Sequence, residues 1–160
     1  MAVSTIDNSG ISASAAISTS KLGTGAVLQV VSATYSSTLS STNSTPTDTG
    51  LTATITPSSA TSKILVMTYQ PGSGRNAAAD SLYAGLVRGS TTIASQSRFA
   101  LTDNNSSASF VDLVFIVLDS PATTSATTYK VQANRNGSAG SGVVNVDSNL
   151  CTITLMEIAA

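Results

Sequence analysis

Side chains with the chemistry to catalyse a reaction are scarce in this chain. It has no histidine, one cysteine (Cys151), seven Lys or Arg residues and eight Asp or Glu residues. A serine or cysteine nucleophile needs a base beside it, and histidine is the usual one. A Ser–Lys dyad would have to use one of three lysines. Lys21 lies in the polar N-terminal segment, Lys63 begins an apolar run, and Lys130 lies in a segment of alternating polarity. The composition therefore predicts that the protein is not an enzyme.

The carboxylates point the same way. Glycoside hydrolysis needs two carboxylates that face each other, and Glu157 is the sole glutamate while the aspartates lie mostly in loop-like segments. The sequence therefore gives little support to a glycan depolymerase. The triplet Asp103-Asn104-Asn105 predicts an Asx-type turn rather than a calcium site. One cysteine without histidine excludes a zinc site, so we expect no metal or cofactor.

Cys151 lies within an alternating apolar segment, "LCTITLMEI". A free cysteine in such a setting behaves as a small hydrophobic residue. A reactive thiol would need a histidine or basic neighbour. We therefore predict that Cys151 is buried and inert.

The charge pattern argues against several partners. The formal net charge is −1 and the Lys and Arg residues are scattered, whereas nucleic-acid and anionic-membrane binding need clustered basic residues. No apolar stretch reaches the roughly 18 residues of a membrane span. The N-terminus lacks the basic and apolar regions of a secretory signal. These features predict synthesis in a cytoplasm, with neither nucleic acid nor membrane as a partner.

The apolar residues predict strands. Charged residues make up 9% of the chain, and serine and threonine fill about a third of it, well away from average composition. Leu51, Ala53 and Ile55 alternate with threonines, a pattern typical of a half-buried antiparallel strand. The run "KILVMTY" (63–69) is nearly all apolar and predicts a central strand covered on both faces.

About eight such segments recur at the spacing of roughly 8–12 residues that is typical of sandwiches and barrels. Polar or glycine-rich segments between them predict loops at 36–50, 70–80 and 135–142. The fold class predicted for residues 25–160 is therefore all-β, an antiparallel β-sandwich with a jelly-roll-like arrangement.

Residues 1–24 differ from the remainder. They are small and polar, with few large aliphatic residues, and cannot bury a core on their own. We interpret them as an extended N-terminal arm. Its aliphatic residues are candidate interface residues: Ile6, Ile11, Ile17 and Leu22.

The segment "FVDLVFIVLD" (110–119) is apolar on both strand faces. A two-layer sandwich covers only one face of each sheet, so the second face needs a loop, the arm or another copy of the chain. This predicts a homo-oligomer. The candidate interface row on this strand is Val111, Leu113, Phe115 and Val117.

Asp112 interrupts that apolar run. An unpaired buried carboxylate is costly, so Asp112 should face water or pair with Arg88 or Arg98. Either it forms a salt bridge between subunits, or it is a charge on an edge strand that blocks aggregation, and the second interpretation is favoured.

Four segments carry a resemblance: "GAVLQVV" (25–31), "TITPSSATSKILV" (54–66), "LDSPATTSATTYKVQ" (118–132) and "TLMEI" (154–158). They resemble small β-structured virion proteins of tailed bacteriophages, of the marine and cyanobacterial phage type. The similarity spans residues 25–158 and consists of turn and strand patterns without functional residues to transfer.

The resemblance implies a virion structural protein that forms a trimer. The leading hypothesis is a capsid decoration, or cement, protein on the capsid surface, whose arm binds the major capsid protein or other virion proteins. The alternative is a tail or head fibre knob that attaches to the host. Carbohydrate readers usually present aromatic side chains, and the aromatic content of 4% without tryptophan weakens that alternative.

Overall fold

The computed structural model describes residues 22–77, 81–99, 108–137 and 140–160, and these residues form strands and connections without helices. The ten strands within them are β1 Val27–Tyr35, β2 Leu39–Ser41, β3 Thr47–Ile55, β4 Lys63–Arg75, β5 Leu82–Arg88, β6 Thr91–Phe99, β7 Ser109–Asp119, β8 Thr127–Arg135, β9 Gly142–Val144 and β10 Cys151–Ile158.

The strands form two antiparallel sheets that pack as a sandwich. In the first sheet, β4 pairs with β7 on one side. On its other side, the first part of β4 pairs with β10 and its last two residues pair with β9. Beyond these, β1 pairs with β10 and β2 pairs with β9. The second sheet has the order β3-β8-β5-β6. Without the short strands β2 and β9, the sheets are β1-β10-β4-β7 and β3-β8-β5-β6, the two four-stranded sheets of a jelly roll. The fold-class prediction is confirmed.

The core lies between the two sheets and follows the strand alternation. Leu51, Ala53 and Ile55 of β3 are 7% exposed or less, and the threonines between them face outward, as the sequence predicts. The first sheet contributes mainly aliphatic side chains from β4, β7 and β10, and Tyr129 and Val131 of β8 pack against them. Each sheet therefore buries one face in the core, and the described residues leave the other face uncovered.

Two predicted loops are partly strand. Residues 70–75 continue β4, and the predicted loop 36–50 contains β2 and the start of β3. The pairing of β4 with β7 shifts register between Gln70 and Ser73, so an irregularity accommodates Pro71. The backbones of β4 and β7 approach each other closely at Gly74, since a Cβ at this position would overlap the carbonyl of Ser109. The short strands β2 and β9, which pair with each other, raise the number of strands in the described residues from the predicted eight or so to ten.

The prediction for residues 63–69 is half right. β4 is central in its sheet, but it is covered on one face only. Lys63 and Tyr69 are exposed, and Leu65 and Met67 are half-buried. The neighbouring β7 lies at the edge of this sheet.

Candidate interaction surface

The outer face of the first sheet carries apolar side chains in register across four strands. Three rows cross β1, β10, β4 and β7 in that order: Val30, Met156, Leu65 and Leu118; then Ser32, Thr154, Met67 and Ile116; then Thr34, Thr152, Tyr69 and Val114. We call the eight apolar residues of these rows the apolar face.

The apolar face is exposed in the single chain. Ile116 is 69% exposed, Leu118 54% and Val30 55%. The first row is apolar on all four strands, whereas the other two rows have hydroxyls on β1 and β10. Ser32 and Thr154 lie 3.4 Å apart there and share a hydrogen bond. The most continuous apolar surface is therefore on β4 and β7.

Opposite charges stand at the two ends of this face. Lys63 begins β4 beyond the first row, and Asp112 of β7 lies beyond the third, where it accepts a hydrogen bond from the Tyr69 hydroxyl at 3.2 Å. Neither charge forms an ion pair with another side chain in the described part of the chain. Partial desolvation of the hydroxyl and the nearby Asp112 carboxylate raise the pKa of Tyr69.

The structure corrects the candidate interface row on β7. Leu113 and Phe115 are 0% and 4% exposed and belong to the core of the chain itself. Val117 is half-buried against that core, while Val111 is exposed. The accessible row is the other one, Val114, Ile116 and Leu118. Both rows are apolar, so the sequence gives no sign of which one the second sheet covers.

Most of the predicted arm lies outside the described residues. This applies to Ile6, Ile11 and Ile17, whereas Leu22 is described and is exposed. The chain enters the first sheet just after it, where the Gly25 amide donates to the Ala159 carbonyl at 2.8 Å and the Ala159 amide donates to that of Ala26 at 2.9 Å. Gly25 and Ala26, which lie just before β1, are therefore beside the Lys63 end of the apolar face, since Val27 pairs with Ile158 and Ile158 with Lys63.

Asp112 lies on an edge strand, which agrees with the interpretation that its charge discourages edge-to-edge pairing. Its proposed partner Arg88 is engaged elsewhere: one guanidinium nitrogen contacts both Asp119 oxygens at 2.7 Å. The side chain of Arg98 lies outside the described residues.

Asp119 is the centre of a polar cluster that the sequence did not reveal. Besides Arg88 it accepts a hydrogen bond at 2.7 Å from the hydroxyl of Tyr129, which is fully buried. Burial and this bond raise the pKa of Tyr129. The cluster links β5, β7 and β8 and so joins the two sheets at one end. Distant single charges in sequence carry no signal of such a contact.

Glu157 is a second buried group that sequence reasoning left unassigned. Its carboxylate accepts bonds from Gln29 Nε2 at 2.6 Å and from the Ser58 amide and hydroxyl at 2.7 Å each. Burial alone would raise the pKa of Glu157, but these hydrogen bonds outweigh it and place the pKa below its ordinary value. Glu157 therefore ties β10 to β1 and to the β3–β4 connection.

The outer face of the second sheet is polar. We call its outward side chains on β3 and β8 the hydroxyl face: Asp48, Thr52, Thr54, Thr128, Lys130 and Gln132. Asp48 accepts bonds from Lys130 at 2.8 Å and Gln132 at 2.7 Å, and these partners, Lys130 first, lower its pKa. Every polar group in this network has solvent or a neighbour, so the face needs no cover.

The remaining sequence predictions concern chemistry. Cys151 is 0% exposed, as predicted, and burial raises the pKa of its thiol. Asp103, Asn104 and Asn105 lie outside the described residues. Among the residues that are described, no three His, Cys, Asp or Glu side chains are grouped so as to hold a metal ion. The same part of the chain contains no helix with the length and apolar character of a membrane span.

Comparison with known proteins does not assign the chain to a family. No protein-family model matches the chain, and no curated protein is significantly similar to it. The resemblance to phage virion proteins therefore stays a prediction.

Proposed function

We propose that this chain is a structural, non-catalytic protein of a bacteriophage virion that works by self-association and by binding the shell. In this proposal it is a capsid decoration protein, and the residues 1–24 that precede the sandwich bind the major capsid protein or a neighbouring virion protein. The resemblance implies three copies per assembly.

The observation that best supports the proposal is the exposed apolar face. Burying one aliphatic side chain contributes about 1.5–3 kcal/mol, and large contiguous apolar patches on soluble proteins mark interaction sites. A protein whose main surface feature is an uncovered sheet face is suited to assembly. Jelly rolls are common among viral capsid proteins, which agrees with this use but does not by itself define it.

The position of the protein in a purified particle tests the proposal. We expect antibody labelling or particle reconstruction to place it on the capsid surface in hundreds of copies. A few to a few dozen copies at a tail or head fibre would favour the fibre-knob alternative. Absence from particles would contradict a virion role.

A deletion of residues 1–24 tests the role of the arm. The truncated sandwich should keep its thermal unfolding transition and its oligomeric mass but lose binding to undecorated capsids. The control is the full chain with Thr54→Ala, which changes one exposed side chain on the hydroxyl face and should leave capsid binding unchanged. Unimpaired capsid binding by the truncated protein would contradict the arm model.

A further inference from the structure

We infer that a second copy of this chain covers the apolar face, with the symmetry axis of the assembly running across the strands rather than along them. The Lys63 end of one copy then meets the Asp112 end of the next. This inference rests on the self-association proposed above and specifies the surface and the orientation through which it occurs.

The apolar face has the size of the centre of an interface between copies. Three rows of four strands cover about 400 Å² in projection, from strand spacings of about 4.8 Å and two-residue repeats of about 6.6 Å. Four of the twelve positions carry hydroxyls, so the eight apolar residues cover about 250 Å² of this area, somewhat less than the 300–600 Å² of the largest apolar patch on a typical monomer. A standard interface buries about 800 Å² per partner, so a stable contact between copies also has to include residues around the apolar face. Val27, which is 50% exposed, extends the apolar area at the rim.

Association through the edge of β7 is less favourable than association through its face. Asp112 would carry a charge into an edge-to-edge ladder. The edge is also partly occupied, because Gln96 Nε2 of β6 donates to the Val114 carbonyl at 3.3 Å. Stacking of the faces leaves both features in place and still buries Ile116 and Leu118.

A copy of the same chain matches this face in charge. The face carries a cation at one end and an anion at the other, and Lys63 and Tyr69 beside Asp112 are six residues, or about 20 Å, apart along β4. If the symmetry axis ran along the strands, like ends would meet and Lys63 would approach Lys63. With the axis across the strands, opposite ends meet in every contact, and this holds for a pair or for a closed ring of three.

Sedimentation of the full chain at micromolar concentration tests the surface. The double variant Ile116→Thr, Leu118→Thr places threonine, a polar residue that favours strands, at two exposed positions, so it should fold. It should weaken association at least about 100-fold, because two aliphatic contacts per copy are lost. The matched control, Thr52→Ala, Thr54→Ala on the hydroxyl face, should leave the mass unchanged. An oligomer that survives the double variant would overturn the inference while the virion role stands.

Charge exchange tests the orientation. Lys63→Asp and Asp112→Lys should each weaken association by about 5-fold, the range of an exposed ion pair, and the combined variant should recover it. A combined variant no better than either single one would overturn the axis across the strands.

Deleting residues 1–24 distinguishes another occupant. If the full chain is a single copy and the deletion makes it associate, the arm covers the face and the inference is overturned. If both forms are single copies, a different protein is the partner, and the inference is likewise overturned.

Discussion

The two outer faces of the sandwich cover the same core but meet solvent differently. The hydroxyl face is built from threonines and from the Asp48, Lys130 and Gln132 network. Val87 of β5 is paired with Lys130 of β8 on this side of the sheet, and it is only 2% exposed. On the apolar face, Ile116 and Leu118 are more than half exposed. Among the described residues, the hydroxyl face pairs its polar groups within one chain, whereas the apolar face leaves aliphatic side chains exposed. The self-association proposed above should therefore depend on the apolar face and not on the hydroxyl face.

The largest effect should separate two adjacent residues of β7. Phe115→Ala removes a core side chain and should lower the free energy of unfolding by about 3–5 kcal/mol. Ile116→Ala should change the stability of the single chain by less than about 0.5 kcal/mol, since the residue is exposed, but should weaken association. Chemical denaturation and sedimentation of both variants measure this contrast. Equal stability losses would mean that the inward and outward rows are assigned incorrectly.

Gly50 is expected to come next, because it lets the first sheet close over the edge of the second. Its φ is +95°, and a Cβ there would overlap the Tyr35 ring. Gly50→Ala should therefore cost roughly 2–4 kcal/mol from backbone strain and overpacking. Gly89→Ala is the control, since it also has positive φ (58°) but no neighbour within 4 Å of the added Cβ. It should cost less, and thermal unfolding compares the two.

Glu157, which bonds to Gln29 of β1 in the first sheet, should make the stability of the fold depend on pH. Its folded pKa lies below the ordinary 4.5, so its contribution is present above that pH and is lost as pH falls through the folded pKa. Glu157→Gln should lower stability at pH 7 by roughly 1–3 kcal/mol and flatten the decline in acid. Urea unfolding from pH 7 to pH 3 measures both. An unchanged acid profile in the variant would contradict this role.

Tyr129→Phe tests the polar link between the sheets. The change removes one buried hydrogen bond to Asp119 and leaves the ring in place, so we expect a loss of about 1 kcal/mol. Tyr83→Phe, on the outer side of β5, serves as the comparison and should be closer to neutral. Denaturant midpoints at pH 7 decide between them.

The smallest effect should come from the hydroxyl face. Lys130→Ala breaks an exposed ion pair with Asp48, and such pairs contribute about 0–1 kcal/mol. It should leave the oligomeric mass unchanged. A change in mass would show that assembly also uses the hydroxyl face and would remove the contrast between the two faces.

The sequence alone predicted the local features that depend on neighbours along the chain. The alternation of Leu51, Ala53 and Ile55 predicted which side of β3 is buried, and the isolated Cys151 in an apolar segment predicted its burial. Residues 70–75 were missed, because proline and glycine favour loops locally and the pairing partner that holds them in β4 comes from β7, more than 30 positions later.

The candidate surface could be predicted only in part. Residues 110–119 are apolar on both faces of the strand, which indicated that something covers the face turned away from the core. The pattern does not say which of the two faces packs against the opposite sheet. Contacts distant in sequence decided that question, and they placed Leu113 and Phe115 inside and Ile116 and Leu118 outside. The tertiary structure also brought Asp119 to Tyr129 and Glu157 to Ser58. Strand period is a local property of the chain, whereas burial is a property of the packed layers, and only the packing of both sheets determines it.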